Sequence, residues 1–308
     1  RLYSADSWRG FVSIQPLVLP SDLSVLLYGD TGHGKSTLIA ELATHLKVTT
    51  GKKTAVFLAD KGSAKPYRAL QKHGVVDVYT PKGNAWLWVN HALQGQIRTD
   101  DTKATYTSVA SDKIGLIVHE GLTAYAEILM SELAQMSAQG QDVGGGGAWN
   151  VTIKEGTDIL KLGTSNRAHY GVVQLQIREG VLAEKPRLPH IYTAGVRRGE
   201  SAQNTPILGP LVIGEALTSQ LPRWVDYTFR CAMSNGKYHL HLAPHTDQQL
   251  GPRTVVLSNP RLPKAGASVV VPPSIEPANL VKALTVIQKR EDAADAELVR
   301  QLAQKEKE

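Results

Sequence analysis

Along the first half of the chain, short apolar runs alternate with stretches whose apolar residues recur every three or four positions. That alternation predicts an α/β fold, a mostly parallel sheet with helices on both faces. Strands are expected near 24–28, 54–59, 75–79, 114–118 and 171–176, and helices near 35–47, 64–73, 84–94, 122–138 and 153–167. The helix over 122–138 has the clearest stripe, with Leu122, Ala126, Leu129, Leu133 and Met136 on one side, and these positions are expected in the core. Residues 95–112 are polar without period and predict a long surface loop, and the run Gly144 to Gly147 predicts a mobile hinge or loop.

Beyond this core the pattern changes. Residues 225–231 and 237–243 flank Ser234-Asn235-Gly236 and predict a β-hairpin, because Asn-Gly supplies the positive φ angles of a tight turn. Prolines at 260, 263, 272, 273 and 277 mark an extended linker over 260–278. Residues 279–306 then read as a helix with Leu280, Leu284, Ile287, Ala294 and Leu298 down one side. It is expected either to dock or oligomerise, or, since Glu291 interrupts the stripe, to be a solvated and frayed tail. The expected organisation is a core over 1–259 that includes the hairpin, the linker, and a helical tail over 279–308.

Composition narrows the class. A chain of 308 residues with 42% hydrophobic content can bury one large α/β core, with or without a small appendage. Cys231 is the only cysteine, so no intrachain disulfide can form, which suits a reducing, cytoplasmic compartment. No apolar run approaches the length of a membrane span. The chain begins at Arg1 and its first ten residues lack a signal-peptide apolar core, as expected of a processed or shortened gene product. A formal charge of +6 and a pI near 9.2 lean towards an anionic partner, nucleic acid being the commonest.

The strongest chemical signal joins the first strand to the first helix. Gly29-Asp30-Thr31-Gly32-His33-Gly34-Lys35-Ser36, followed by Thr37, has the P-loop spacing in its proper strand-to-helix context. Its glycines let the backbone turn its N–H groups inward, where the positive end of the following helix also favours phosphate oxygens. Lys35 is expected to reach the β- and γ-phosphates of a nucleoside triphosphate and Ser36 to ligate Mg²⁺. The strand Ile114 to Val118 runs on into His119-Glu120, which places Glu120 where such sites hold the metal, unless it only caps the helix starting at Leu122. Asp60 ends the strand over 54–59, which is expected beside the P-loop strand. It is the candidate for orienting an attacking water, unless Lys61 simply pairs with it. His239 and His241 share a strand face with His245 following, but no acid or cysteine sits at ligand spacing, so an ordinary half-exposed strand is expected there.

P-loop, acid-ended strand and a glutamine, Gln174 or Gln176, at the end of a later strand together resemble the RecA-like ATPases. More narrowly, Tyr28 to Lys35, the Glu120-Gly121-Leu122-Thr123 turn, Gly209 to Leu217 and Leu221 to Asp226 are similar to the small phage-encoded AAA-domain ATPases of the Sak4-like type. The resemblance covers roughly 10–232 and departs where the family carries Asp then Ser but this chain has Glu120 and Gly121. It implies a RecA-like core, ATP hydrolysis, single-stranded DNA binding and recombination in a phage-infected bacterial host. It further implies a partner single-strand DNA-binding protein, and Gln174 or Gln176 would sense the γ-phosphate. The segment 177–210 would then meet DNA, with Arg178, Lys185, Arg187, Arg197 and Arg198 on phosphates and Tyr192 stacking a base. Arg197 and Arg198 could equally serve as an arginine finger in a homo-oligomer, or be a solvated patch. Set against an ATP-hydrolysing recombination protein is a P-loop protein using ATP as an assembly or structural switch, in a helicase-loader-like or particle-associated role.

Overall fold

The computed structural model describes residues 17–81, 85–100, 105–138, 151–153, 160–162, 167–182, 188–200, 205–213, 215–246, 254–260, 262–263 and 268–305. Gly144 to Gly147, Lys185 and Arg187 lie outside the described residues. In chain order the first half gives β1 (Ser24–Tyr28), α1 (Lys35–Thr50), β2 (Lys53–Leu58), a 3-10 turn over Lys61–Ala64, α2 (Tyr67–Lys72), β3 (Val76–Tyr79), α3 (Ala85–Leu93), β4 (Gln96–Asp100), β5 (Thr105–Ser108), β6 (Ile114–Glu120) and α4 (Leu122–Ala138). There follow β7 (Val151–Ile153), β8 (Leu160–Leu162), α5 (Arg167–Leu182), β9 (His190–Glu200), β10 (Pro206–Leu211) and α6 (Glu215–Gln220). The remainder is β11 (Tyr227–Ser234), β12 (Lys237–His241), β13 (His245–Thr246), β14 (Val255–Val256), β15 (Asn259–Pro260), β16 (Ser274–Ile275) and α7 (Leu280–Lys305).

The central sheet runs in the order β3, β2, β6, β9, β1, β11, β12, β16. Along that order it is parallel from β3 to β11 and antiparallel over β12 and β16, while β10 and β15 add antiparallel to β9 and β11. Strands buried on both faces must be apolar throughout, and β1 is: Val25 and Leu27 face one layer, Leu26 and Tyr28 the other. The first layer contains α1 and α7, with Leu38, Ile39, Leu42, Leu280, Leu284 and Ile287 in its core. The opposite layer contains α3, α4 and α5, through Trp88, Val89, Tyr125, Leu129, Val173 and Ile177.

Four expectations change. The run 171–176 is the middle of α5, not a strand. Val173, Leu175 and Ile177 fit both periods, but Val173, Ile177 and Val181 are buried while Leu175 is 55% exposed, so the four-residue period decides. The strand that belongs between β1 and β6 is β9, supplied by residues further on. Where a helix over 153–167 was expected, β7 and β8 pair antiparallel, and the expected loop 95–112 holds the antiparallel pair of β4 and β5. The proline-punctuated stretch is not a free linker: β16 pairs with β12, and the Arg290 guanidinium donates to the carbonyls of Pro263 and Val269. The hairpin of β11 and β12 turns at Asn235 and Gly236, with φ of 52° and 73°.

Candidate functional site

The P-loop leaves the C-terminal end of β1 at the centre of the sheet, where the chain passes into α1. Gly29 packs against β11 so closely that a Cβ there would lie 2.3 Å from the carbonyl oxygen of Cys231, so only glycine fits. Gly34 caps α1 at φ 82° and Gly32 has φ 84°, left-handed backbone that favours glycine at both turns of the loop. Asp30, Thr31 and Thr37 are exposed, and His33 Nδ1 stands 3.3 Å from the Cys231 carbonyl oxygen. Lys35 folds back on its own loop, donating from Nζ to the carbonyls of Gly29 at 2.7 Å and Asp30 at 3.0 Å. Those carbonyls are weak partners for an ammonium, so an incoming phosphate has a cation ready to be recruited.

Glu120 faces this loop. Leu116 and Val118 alternate into the α1 layer, and the period of two carries the Glu120 side chain to the same face at the end of β6. The carboxylate is 1% exposed and held by three hydroxyls. Ser36 Oγ donates to Oε1 at 2.9 Å, Tyr67 Oη to Oε2 at 2.6 Å, and Thr193 Oγ1 to Oε1 at 3.2 Å. Burial raises its pKa, while the donors and the nearby Lys35 charge pull the other way. Burial, and then the Glu120 charge, keep the Tyr67 and Tyr125 phenols protonated far above neutral pH. Burial also pushes the Cys231 thiol up to about 12. Ser36 Oγ and the Glu120 carboxylate form a pair of hard oxygen donors at the loop, a set that fits Mg²⁺.

Asp60 follows β2 as the cap of the next turn, yet β2 pairs with β3 and β6 rather than with β1. Asp60 is therefore beside Glu120 and not beside the P-loop strand: a Cβ on Gly121 would meet its Cβ at 3.3 Å. Its exposed carboxylate caps the following turn, accepting from Gly62 N at 2.8 Å and Ser63 Oγ at 3.0 Å. Gln174 and Gln176 lie on α5, Gln174 reaching Ile213 O at 3.5 Å, so neither ends a strand next to the loop. The residue brought beside Glu120 from the neighbouring strand is instead Thr193. It sits on β9 between β1 and β6, and besides touching Glu120 it accepts from Gly121 N at 2.7 Å. No local pattern marks Thr193 or Tyr67, since their approach to Glu120 depends on how distant segments pack.

The segment 177–210 is not one flexible loop. Tyr192 is 1% exposed and stacked on His119, which removes it as a base platform. Arg178 is exposed on α5, and Arg197 and Arg198 lie in the extension of β9 that pairs antiparallel with β10, Arg198 exposed. His241 and His245 rings stack 4.3 Å apart, and no group of three His, Cys, Asp or Glu able to hold a metal occurs among the described residues. No helix among them is long and apolar enough to cross a membrane.

Strand order and loop together define the class: an α/β protein of the RecA-like P-loop type, with one strand interposed between the P-loop strand and the acid-bearing strand. No family model matches the chain, and no curated protein matches it. Among solved structures it is similar to the crystal structure of flagellar accessory protein FlaH from Methanocaldococcus jannaschii, at 9% identity and a TM-score of 0.34, over 72% of this chain and 77% of that one. At that TM-score the fold assignment stands on the strand order.

Proposed function

We propose that the chain binds ATP with Mg²⁺ at Gly29 to Thr37 and hydrolyses it. The observation that supports this best is the meeting of Ser36 and Glu120 at 2.9 Å beside a loop with positive-φ glycines and a Lys35 that donates to loop carbonyls. The loop N–H groups and Lys35 would hold the phosphates, and the Ser36 and Glu120 oxygens the metal, whose charge would offset that developing on the transferred phosphoryl group. Asp60, one strand from Glu120 and exposed, would orient a water, and Thr193 links the Glu120 carboxylate to the Gly121 backbone. The finer reading follows the Sak4-like resemblance: a homo-oligomeric ATPase that acts on single-stranded DNA in phage recombination or replication with a single-strand DNA-binding partner. The charge of +6 and the exposed Arg178 and Arg198 support it.

A second reading, ATP as an assembly switch with little turnover, draws on a specific observation. Both Glu120 oxygens and both Asp60 oxygens are already engaged by protein donors. ATP turnover measured with and without single-stranded DNA separates the two. Stimulation by DNA supports the recombination reading, and tight ATP binding with negligible turnover in both cases supports the switch. A chain that binds no ATP overturns both.

A further inference from the structure

The sheet order sets the P-loop between two flanks. On one side, across β9, β6 delivers Glu120; on the other, across β11, β12 delivers Tyr238. If the metal end of a phosphate chain lay at Ser36 and Glu120, the flank open to its other end would be that of β12, two strand spacings or roughly 10 Å from β1. Tyr238 stands there against the loop itself: a Cβ on Gly34 would meet its ring at 3.4 Å from Cδ1 and 3.6 Å from Cε1. Met233 is its directly opposed partner on β11 and so shares its face, while Cys231 and Leu240, the next pair on that face, are buried in the α1 layer. Tyr238 and Met233 are 44% and 48% exposed, two adjacent large apolar groups of which the first stands against the loop. The strand beneath them is fixed, because Ala278 N donates to the Tyr238 carbonyl at 2.9 Å and β16 covers the outer edge of β12.

We propose that Tyr238, flanked by Met233, is the platform for the nucleobase of the bound nucleotide, and that a purine is its ligand. This rests on the nucleotide-binding reading and adds the base subsite to it. A phenol ring stacks on any base, and a two-ring purine covers more of it than a pyrimidine does. Thioether sulfur against an aromatic edge adds a further soft contact. With no hydrogen-bonding side chain required, the site selects by area and so favours ATP and GTP over CTP and UTP.

The test is calorimetric titration of the full chain, its Tyr238→Ala and Tyr238→Phe variants and Lys35→Ala with ATP, CTP and inorganic tripolyphosphate. Tyr238→Ala is expected to weaken ATP by roughly 5- to 100-fold and CTP by less, with tripolyphosphate unchanged, and Tyr238→Phe to stay within about twofold of the parent. Equal losses for ATP and tripolyphosphate would mean that the ring only buttresses Gly34, and no loss for ATP would mean that the base lies elsewhere; either overturns the proposal. Lys35→Ala should lose all three ligands. If it binds ATP like the parent, the nucleotide-binding reading fails first and takes the base platform with it.

Discussion

Glu120 shows how a single side chain can be costly to the fold and useful to the site. Its carboxylate is taken out of water and answered by the hydroxyls of Ser36, Tyr67 and Thr193. Because burial raises its pKa, the folded chain binds this proton more tightly than the unfolded chain does. The corresponding stability is fully present below the ordinary carboxylate range and is lost as pH rises through the folded pKa. Glu120→Gln, which removes the charge and keeps the shape, should therefore be more stable than the parent at neutral pH, with the gap closing towards about pH 4. Urea midpoints of the two proteins across that range check it, and parallel curves would refute the burial argument. The same variant should bind ATP nearly as the parent does but turn it over more slowly, since the charge at the metal position is gone.

At the level of elements, α7 divides in two. Its first half belongs to the core, with Leu280, Ala283, Leu284 and Ile287 each 3% exposed or less in the α1 layer, and Tyr227 donates to Glu291. The Glu291 that interrupts the apolar stripe is thus used, not misplaced. Further along, Leu298, Val299 and Leu302 are more than half exposed. Ile287→Ala should cost about 2–5 kcal/mol of unfolding free energy, as a large-to-small change in a packed layer does. Leu298→Ala should fall within about 0.5 kcal/mol of the parent. Chemical denaturation of the two variants decides it, and small values for both would mean that the helix is not docked.

For the whole molecule the question is where an excess of positive charge acts. Exchanging Arg197 and Arg198 together for Ala should weaken single-stranded DNA binding for all sequences alike if that strand extension meets the backbone. The log–log salt dependence should flatten by roughly 0.7 for each phosphate that the variant no longer neutralises. An arginine finger reaching a neighbouring protomer would behave differently: turnover would fall while DNA binding by the ATP-loaded protein survived. Filter binding over a salt series, paired with turnover across protein concentrations, distinguishes these outcomes, and no change in either would leave the pair a solvated patch.

The sequence by itself determined what depends on near neighbours. The order β1, P-loop, α1 follows from an apolar run, fixed glycine spacing and a helical stripe, all within 27 consecutive residues, 24 to 50. The span of α4, the Asn235-Gly236 turn and the placing of Glu120 at a strand end are equally local. Tertiary structure decided what depends on which segments lie side by side. Val173, Leu175 and Ile177 carry both periods at once, and only the burial of Val173 and Ile177 in the layer opposite α1 and α7 selects the helix. That choice leaves the place beside β1 to β9, brings Thr193 to Glu120, leaves β6 and β9 between the Asp60 strand and the P-loop strand, and buries Tyr192. Tyr67 and Tyr238 reach the site from residues 31 and 203 positions beyond Ser36 and Lys35 respectively. Strand register and layer packing are set by the sum of many long-range interactions, so no local window carries them.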